Sequence, residues 1–131
     1  MAMINYDQLG KDLRDLIRAG VSGFTEVKFE TDQRDWANIY GPVCDVRLES
    51  ANPQIRAGQD YVTTVVLTVE IFVFDLSSFP DAATLRNSLL RSTQDTIRGT
   101  PRFNSDLLSS RLGAVRFGGA EDEEQGAFIA A

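Results

Sequence analysis

The stretch that most constrains this chain is Tyr61 to Asp75, YVTTVVLTVEIFVFD. As a strand rising ~3.3 Å per residue it would span roughly 50 Å, far beyond the five or six residues of an ordinary strand. Its odd positions, Tyr61, Thr63, Val65, Leu67, Val69, Ile71 and Val73, are almost wholly apolar and are expected to lie on a core. Its even positions, Val62, Thr64, Val66, Thr68, Glu70, Phe72 and Phe74, are mixed, with one carboxylate and two terminal aromatics. The weight of β-branched residues argues against a helix. A strand longer than a small domain needs, with a half-polar outer face, is expected to pair or pack in part beyond its own chain.

The rest of the chain supplies partners for that strand. Asn5 can cap a helix over Tyr6 to Ala19, with Tyr6, Leu9, Leu13, Leu16 and Ile17 on one arc, Lys11, Arg14, Asp15 and Arg18 on the other, and Gly20 at its end. Phe24 to Glu30 alternates as a strand. Thr31 to Gly41 is irregular, and its Trp36, Ile39 and Tyr40 are expected to tuck onto the core. Pro42 to Glu49 is a second strand entered by a proline. Ser50 to Asp60, SANPQIRAGQD, reads as a long connection in a hairpin with Tyr61 to Asp75. Gln54, Ile55 and Arg56 lie near its tip, where they would serve as a docking loop.

Beyond Leu76 to Pro80 the pattern turns helical again. Asp81 can cap a helix over Ala82 to Arg98, ended by Gly99 and Pro101. Ala82, Leu85, Leu89, Leu90, Thr93 and Ile97 form its inner face, and Asp95 can pair with Arg91 and Arg98. Arg86 falls inside the apolar arc, so its stem either snorkels outward or meets a second subunit. Ser105 to Arg111 reads as one further helical turn, and Leu112 to Phe117 as a short strand. Gly118 to Gly126 reads as a solvated loop carrying Glu121, Asp122, Glu123 and Glu124, and Ala127 to Ala131 starts a final strand.

Composition narrows the function. At 131 residues and 43% hydrophobic content, the chain is expected to form one domain, 1–131, with a real core. A net charge of −6 argues against general binding to nucleic-acid backbones. The basic residues are two lysines and eleven arginines, and arginine is favoured where planar, multi-donor contacts matter. Cys44 is the one cysteine and alternates with Val46 and Leu48, which marks a buried thiol. No stretch approaches a membrane span and the N-terminus lacks a signal-peptide pattern, so a soluble cytoplasmic protein is expected. The chain has no histidine, which removes Ser-His-Asp and Cys-His catalysis and ordinary zinc sites. No nucleotide-binding glycine motif or calcium loop is present. The expectation is a non-enzyme without cofactor or metal, although neighbouring carboxylates can hold magnesium weakly.

The order of elements resembles the tail terminator proteins of long-tailed bacteriophages, the lambda type in particular. The matching stretches are the strand entered at Pro42, the long loop and extended strand Tyr61 to Asp75, the Phe79-Pro80-Asp81 turn into a helix, and the acidic Glu121 to Glu124 turn running into Gly126-Ala127-Phe128. This chain stops five residues after Gly126, where the family has a longer terminal strand. The resemblance implies an α+β fold, a small mixed or antiparallel sheet with a long central strand and two amphipathic helices packed on it. It further implies a six-fold ring in the neck of the virion, assembled in the host cytoplasm, that ends tail-tube polymerisation and joins tube to head connector. DNA would pass through without specific binding. Glu70, Phe72, Phe74 and Arg86 are the expected subunit interface, with Glu70 meeting an arginine of the next copy. The alternatives are another neck or tail-tube protein of the same particle, or a regulatory domain that binds a small ligand in a closed apolar pocket.

Overall fold

The computed structural model describes residues 4–32, 41–55, 61–75, 79–105, 107, 109–117, 119–122 and 127–130. The elements run α1 (Tyr6–Gly20), β1 (Glu26–Phe29), β2 (Val43–Ile55), β3 (Tyr61–Asp75), α2 (Phe79–Gly99), β4 (Gly119–Asp122) and β5 (Ala127–Ala130). They form a small α+β fold. The strands make one mixed sheet in the order β1-β2-β3-β5-β4, with the long strand at its centre. β1 pairs with β2 in parallel and every other pair is antiparallel.

The core forms on one face of this sheet. Val27 and Phe29 of β1, Cys44 and Val46 of β2, and Ile71 and Val73 of β3 are buried together with Leu13 and Ile17 of α1 and Ala82, Leu89 and Ile97 of α2. The odd face of β3 is therefore the core face, as its pattern predicts. α1 lies over β1 and β2, and α2 lies over β3 and β5. At the N-terminus of α1, the Asn5 side chain accepts a hydrogen bond from the Gln8 amide at 3.1 Å. Gly20 is the last helical residue rather than a left-handed cap, because the chain leaves through extended Val21, whose N–H donates to the Ile17 carbonyl. Gly10, buried in α1, lies against Phe29: a Cβ there would meet the ring at 1.9 Å. Gly41 has φ of +78°, a conformation that favours glycine. It sets up Pro42, whose carbonyl accepts from the Thr25 amide at 2.7 Å and so aligns β2 beside β1.

Several boundaries differ from the sequence expectation. β2 does not stop at Glu49. Ser50 to Ile55 pair with Val66 to Tyr61, so half of the expected loop is strand. Asn52 and Pro53 weaken that reading in sequence, but β1 pairs β2 only over Val43 to Val46, and proline is tolerated where a strand is an edge. α2 begins at Phe79, so Asp81 lies in its first turn rather than at its cap, and Pro80 suits a first turn, where no intrahelical N–H bond is needed. Leu85 is 39% exposed and is not part of the inner face. Leu112 to Phe117 is not a strand; beside β3, β5 pairs with Gly119 to Asp122, so the first two acids of the acidic run belong to β4. The described residues of Ser105 to Arg111 show no helix, only a tight turn closed by the Leu107 amide on the Asn104 carbonyl at 3.1 Å. Trp36, Ile39 and Tyr40 lie outside the described residues.

Candidate interaction surfaces

Three surfaces carry the residues singled out in the sequence. The first is the sheet face turned away from the helices. Glu26 and Lys28 of β1, Asp45 and Arg47 of β2, and Thr68, Glu70 and Phe72 of β3 alternate with the core residues and share this face. Arg47 of the neighbouring strand makes an ion pair with Glu70 across the ladder. The Thr68 hydroxyl donates to Glu49 at 2.9 Å. Phe72 is half-buried opposite buried Val43. Phe74 lies in the ladder opposite Ile129 of β5.

The second surface is the outer half of the β2–β3 hairpin. The core ends at Leu48 and Leu67. Between Leu48 and Ser50 the register slips, which makes Glu49 the extra residue of a β-bulge, a feature that bends and twists a strand pair. Beyond it, Ser50 to Pro53 are exposed and Val62 to Val66 are half-buried or exposed. This part of the hairpin projects as a two-stranded ribbon six pairs long, about 20 Å at ~3.3 Å per residue. Among the described residues both of its edges are unpaired: β1 stops against Val46, and β5 pairs β3 only over Val73 to Asp75. Gln54 and Ile55 are the last residues of β2, at the far end of the ribbon. Arg56 lies outside the described residues.

The third surface is a groove of about 350 Å³ along α2, lined by Arg86, Asn87, Leu90, Arg91, Gln94 and Phe117. Arg86 is half-buried here, its guanidinium carbon 4.9 Å from the centre of the Phe117 ring, and its Nε donates to Asn87 at 3.1 Å. The residue that breaks the apolar arc thus snorkels onto an aromatic ring of its own chain. Of the acidic run, Glu121 and Asp122 end β4, while Glu123 and Glu124 lie outside the described residues.

Sequence reasoning missed a fourth constellation. Arg14 leaves the solvated arc of α1, and its Nη1 donates to Asp32 at 2.7 Å. The other Asp32 oxygen accepts from the Phe29 amide at 2.7 Å. Burial opposes ionisation of Asp32, but the Phe29 N–H and the Arg14 charge outweigh it and hold the carboxyl below its ordinary range. Arg18 donates to the Val27 carbonyl at 2.6 Å. These contacts fasten α1 to β1, and only the acid-base complement of Arg14 and Asp32 could have signalled them. Cys44 is buried, and desolvation first, then the Asp45 charge, pushes its thiol up to about 12, so it stays protonated and unreactive.

Among the described residues no group of three or more carboxylate or thiol side chains is placed to hold a metal ion, and no helix is long and apolar enough to cross a membrane. No known protein family, curated protein or solved structure matches this chain.

Proposed function

We propose that this chain is a structural protein of a long-tailed bacteriophage. In this reading six copies close into a ring at the head-proximal end of the tail tube, end its polymerisation and join it to the head connector, and the protein performs no catalysis. The observation that carries the reading is the projecting β2–β3 ribbon, whose edges are unpaired among the described residues. An isolated two-stranded hairpin is marginal in water, and an open strand edge invites another chain. Such an arm suits a protein whose work is to dock on neighbours, where main-chain hydrogen bonds supply affinity and alternate side chains supply specificity. The open groove beside Arg86, with its guanidinium and amide groups, suits contact with a protein surface better than enclosure of a small ligand. The acidic balance of the chain suits a ring through which DNA slides without adhering.

The test is location. Immunogold labelling of assembled particles is expected to give one band at the neck, and loss of the protein is expected to give tails of uncontrolled length. Phe72→Asp, checked by circular dichroism for retained fold, is expected to reproduce that defect. Label repeated along the whole tube would reassign the chain to the tube, and absence from the neck would remove the terminator reading.

A further inference from the structure

The charge on this protein is divided. Between Ala82 and Phe117 lie six arginines, Arg86, Arg91, Arg98, Arg102, Arg111 and Arg116, against the two aspartates Asp95 and Asp106, in a chain of net charge −6. Five of the six are exposed, and Arg86 is half-buried over Phe117. The groove along α2 gathers two of these guanidinium groups with the side-chain amides of Asn87 and Gln94, all able to donate, around the apolar surfaces of Leu90 and of Phe117, which is 61% exposed. A site of that kind fits an acidic segment: carboxylates take the paired donors of arginine, and the chain between them covers the ring and the leucine.

We propose that this groove receives the acidic stretch Glu121 to Glu124 of a second copy of the chain. Four consecutive carboxylates are the densest negative charge in the sequence, and they complement the arginine-rich stretch that the groove belongs to. The groove and the acidic stretch are different segments of the chain, so a contact between copies is heterologous and passes from copy to copy until it closes. The proposal rests on the ring reading for the presence of a second copy and names the contact that would join neighbours. A nucleic acid is the other polyanion an arginine groove could take, but the negative charge of the whole chain repels it.

The contact can be read by nuclear magnetic resonance on full-length chains that each keep one half of it. A ¹⁵N-labelled chain carrying Glu121→Gln, Asp122→Asn, Glu123→Gln and Glu124→Gln keeps the groove. An unlabelled Arg91→Glu chain keeps the acidic stretch. Mixing at low ionic strength is expected to shift the amides of Leu90, Arg91, Gln94 and Phe117. The affinity is expected to fall roughly tenfold or more in about 1 M salt, where the Debye length is about 3 Å. An unlabelled chain carrying both sets of changes is expected to shift nothing. Absence of shifts, or shifts that persist with that double variant, would overturn the proposal. So would a short DNA duplex that moves the same amides at lower concentration, or salt-sensitive shifts in dilute wild-type protein that do not depend on its concentration, since the latter place the acidic stretch on its own groove. Neck labelling decides the phage reading separately: a neck protein without this contact keeps its place and loses only this interface.

Discussion

Gly10 carries more of the α1–β1 contact than its size suggests. Alanine is a better helix former by roughly 1 kcal/mol, so sequence rules favour Gly10→Ala. The structure reverses the sign, because the new Cβ would fall 1.9 Å from the ring of Phe29, which is fully buried and has nowhere to move. Gly10→Ala is expected to destabilise the protein by about 1–3 kcal/mol, the usual cost of overpacking, read as a lower midpoint in urea. Asp32 gives the pH dependence its sign. Its folded pKa is lowered, so its contribution is present above the unfolded value of roughly 3.9 and is lost as pH falls through the folded value. Asp32→Asn is expected to cost about 1.5–3 kcal/mol at neutral pH, the range for hydrogen bonds to charged groups. The gap between the two urea midpoints is expected to close in acid, and a gap that stays constant to pH 2 would show the pair to be inert. Arg14 and Asp32 are eighteen residues apart on two elements whose packing no local pattern encodes, which is why neither stood out in the sequence.

At the scale of elements, periodicity revealed whatever the core reads and missed whatever it does not. α1, α2 and β3 present long apolar faces to one another, and each was legible within a few residues. The sequence pattern ends β2 early because Asn52 and Pro53 are strand breakers in isolation; they stand in the ribbon, beyond the core that ends at Leu48 and beyond the reach of β1. Leu112 to Phe117 alternates but has no strand beside it among the described residues, and exposed Val115 and Phe117 show that alternation without a partner makes no strand. The ribbon was visible only as a long connection with an apolar and a cationic residue near its tip. Its removal separates stability from docking. Leu48 and Leu67 are directly opposite, so Glu49 to Val66 can be replaced by Asn-Gly, the sequence favoured in two-residue hairpin turns. Because Ser50 to Pro53 are exposed and Val62 to Val66 are half-buried or exposed, the shortened protein is expected to keep its melting temperature within about 5 °C, the shift of roughly 1 kcal/mol in a domain of this size. It is expected to fail in particle assembly. Infectious particles built with the shortened chain would make the ribbon a mere connector.

The described residues then make a body with an arm, and the two are expected to differ in local stability. The body closes a core from three strands and two helices, and its central amides are protected by the free energy of global unfolding, commonly 5–15 kcal/mol. Ribbon amides lean on a single strand partner, half-buried or exposed side chains and no third strand among the described residues, the features of a segment that opens at far lower cost. If the body opens at about 6 kcal/mol and the ribbon at about 2, exchange rates differ by roughly a thousandfold, since each 1.4 kcal/mol is a factor of ten. Hydrogen exchange on the free chain should therefore show amides of Val43 to Val46 and Val69 to Ile71 exchanging slowest, with Ser50 to Ile55 and Val62 to Val66 exchanging early. The same measurement on assembled particles is expected to slow the ribbon amides, because a neighbour that pairs with an open edge takes up the N–H groups the free chain leaves to water. A ribbon as slow as the body in the free chain would mean that the hairpin is stable in its own right, and the case for an arm completed by a neighbour would fall with it.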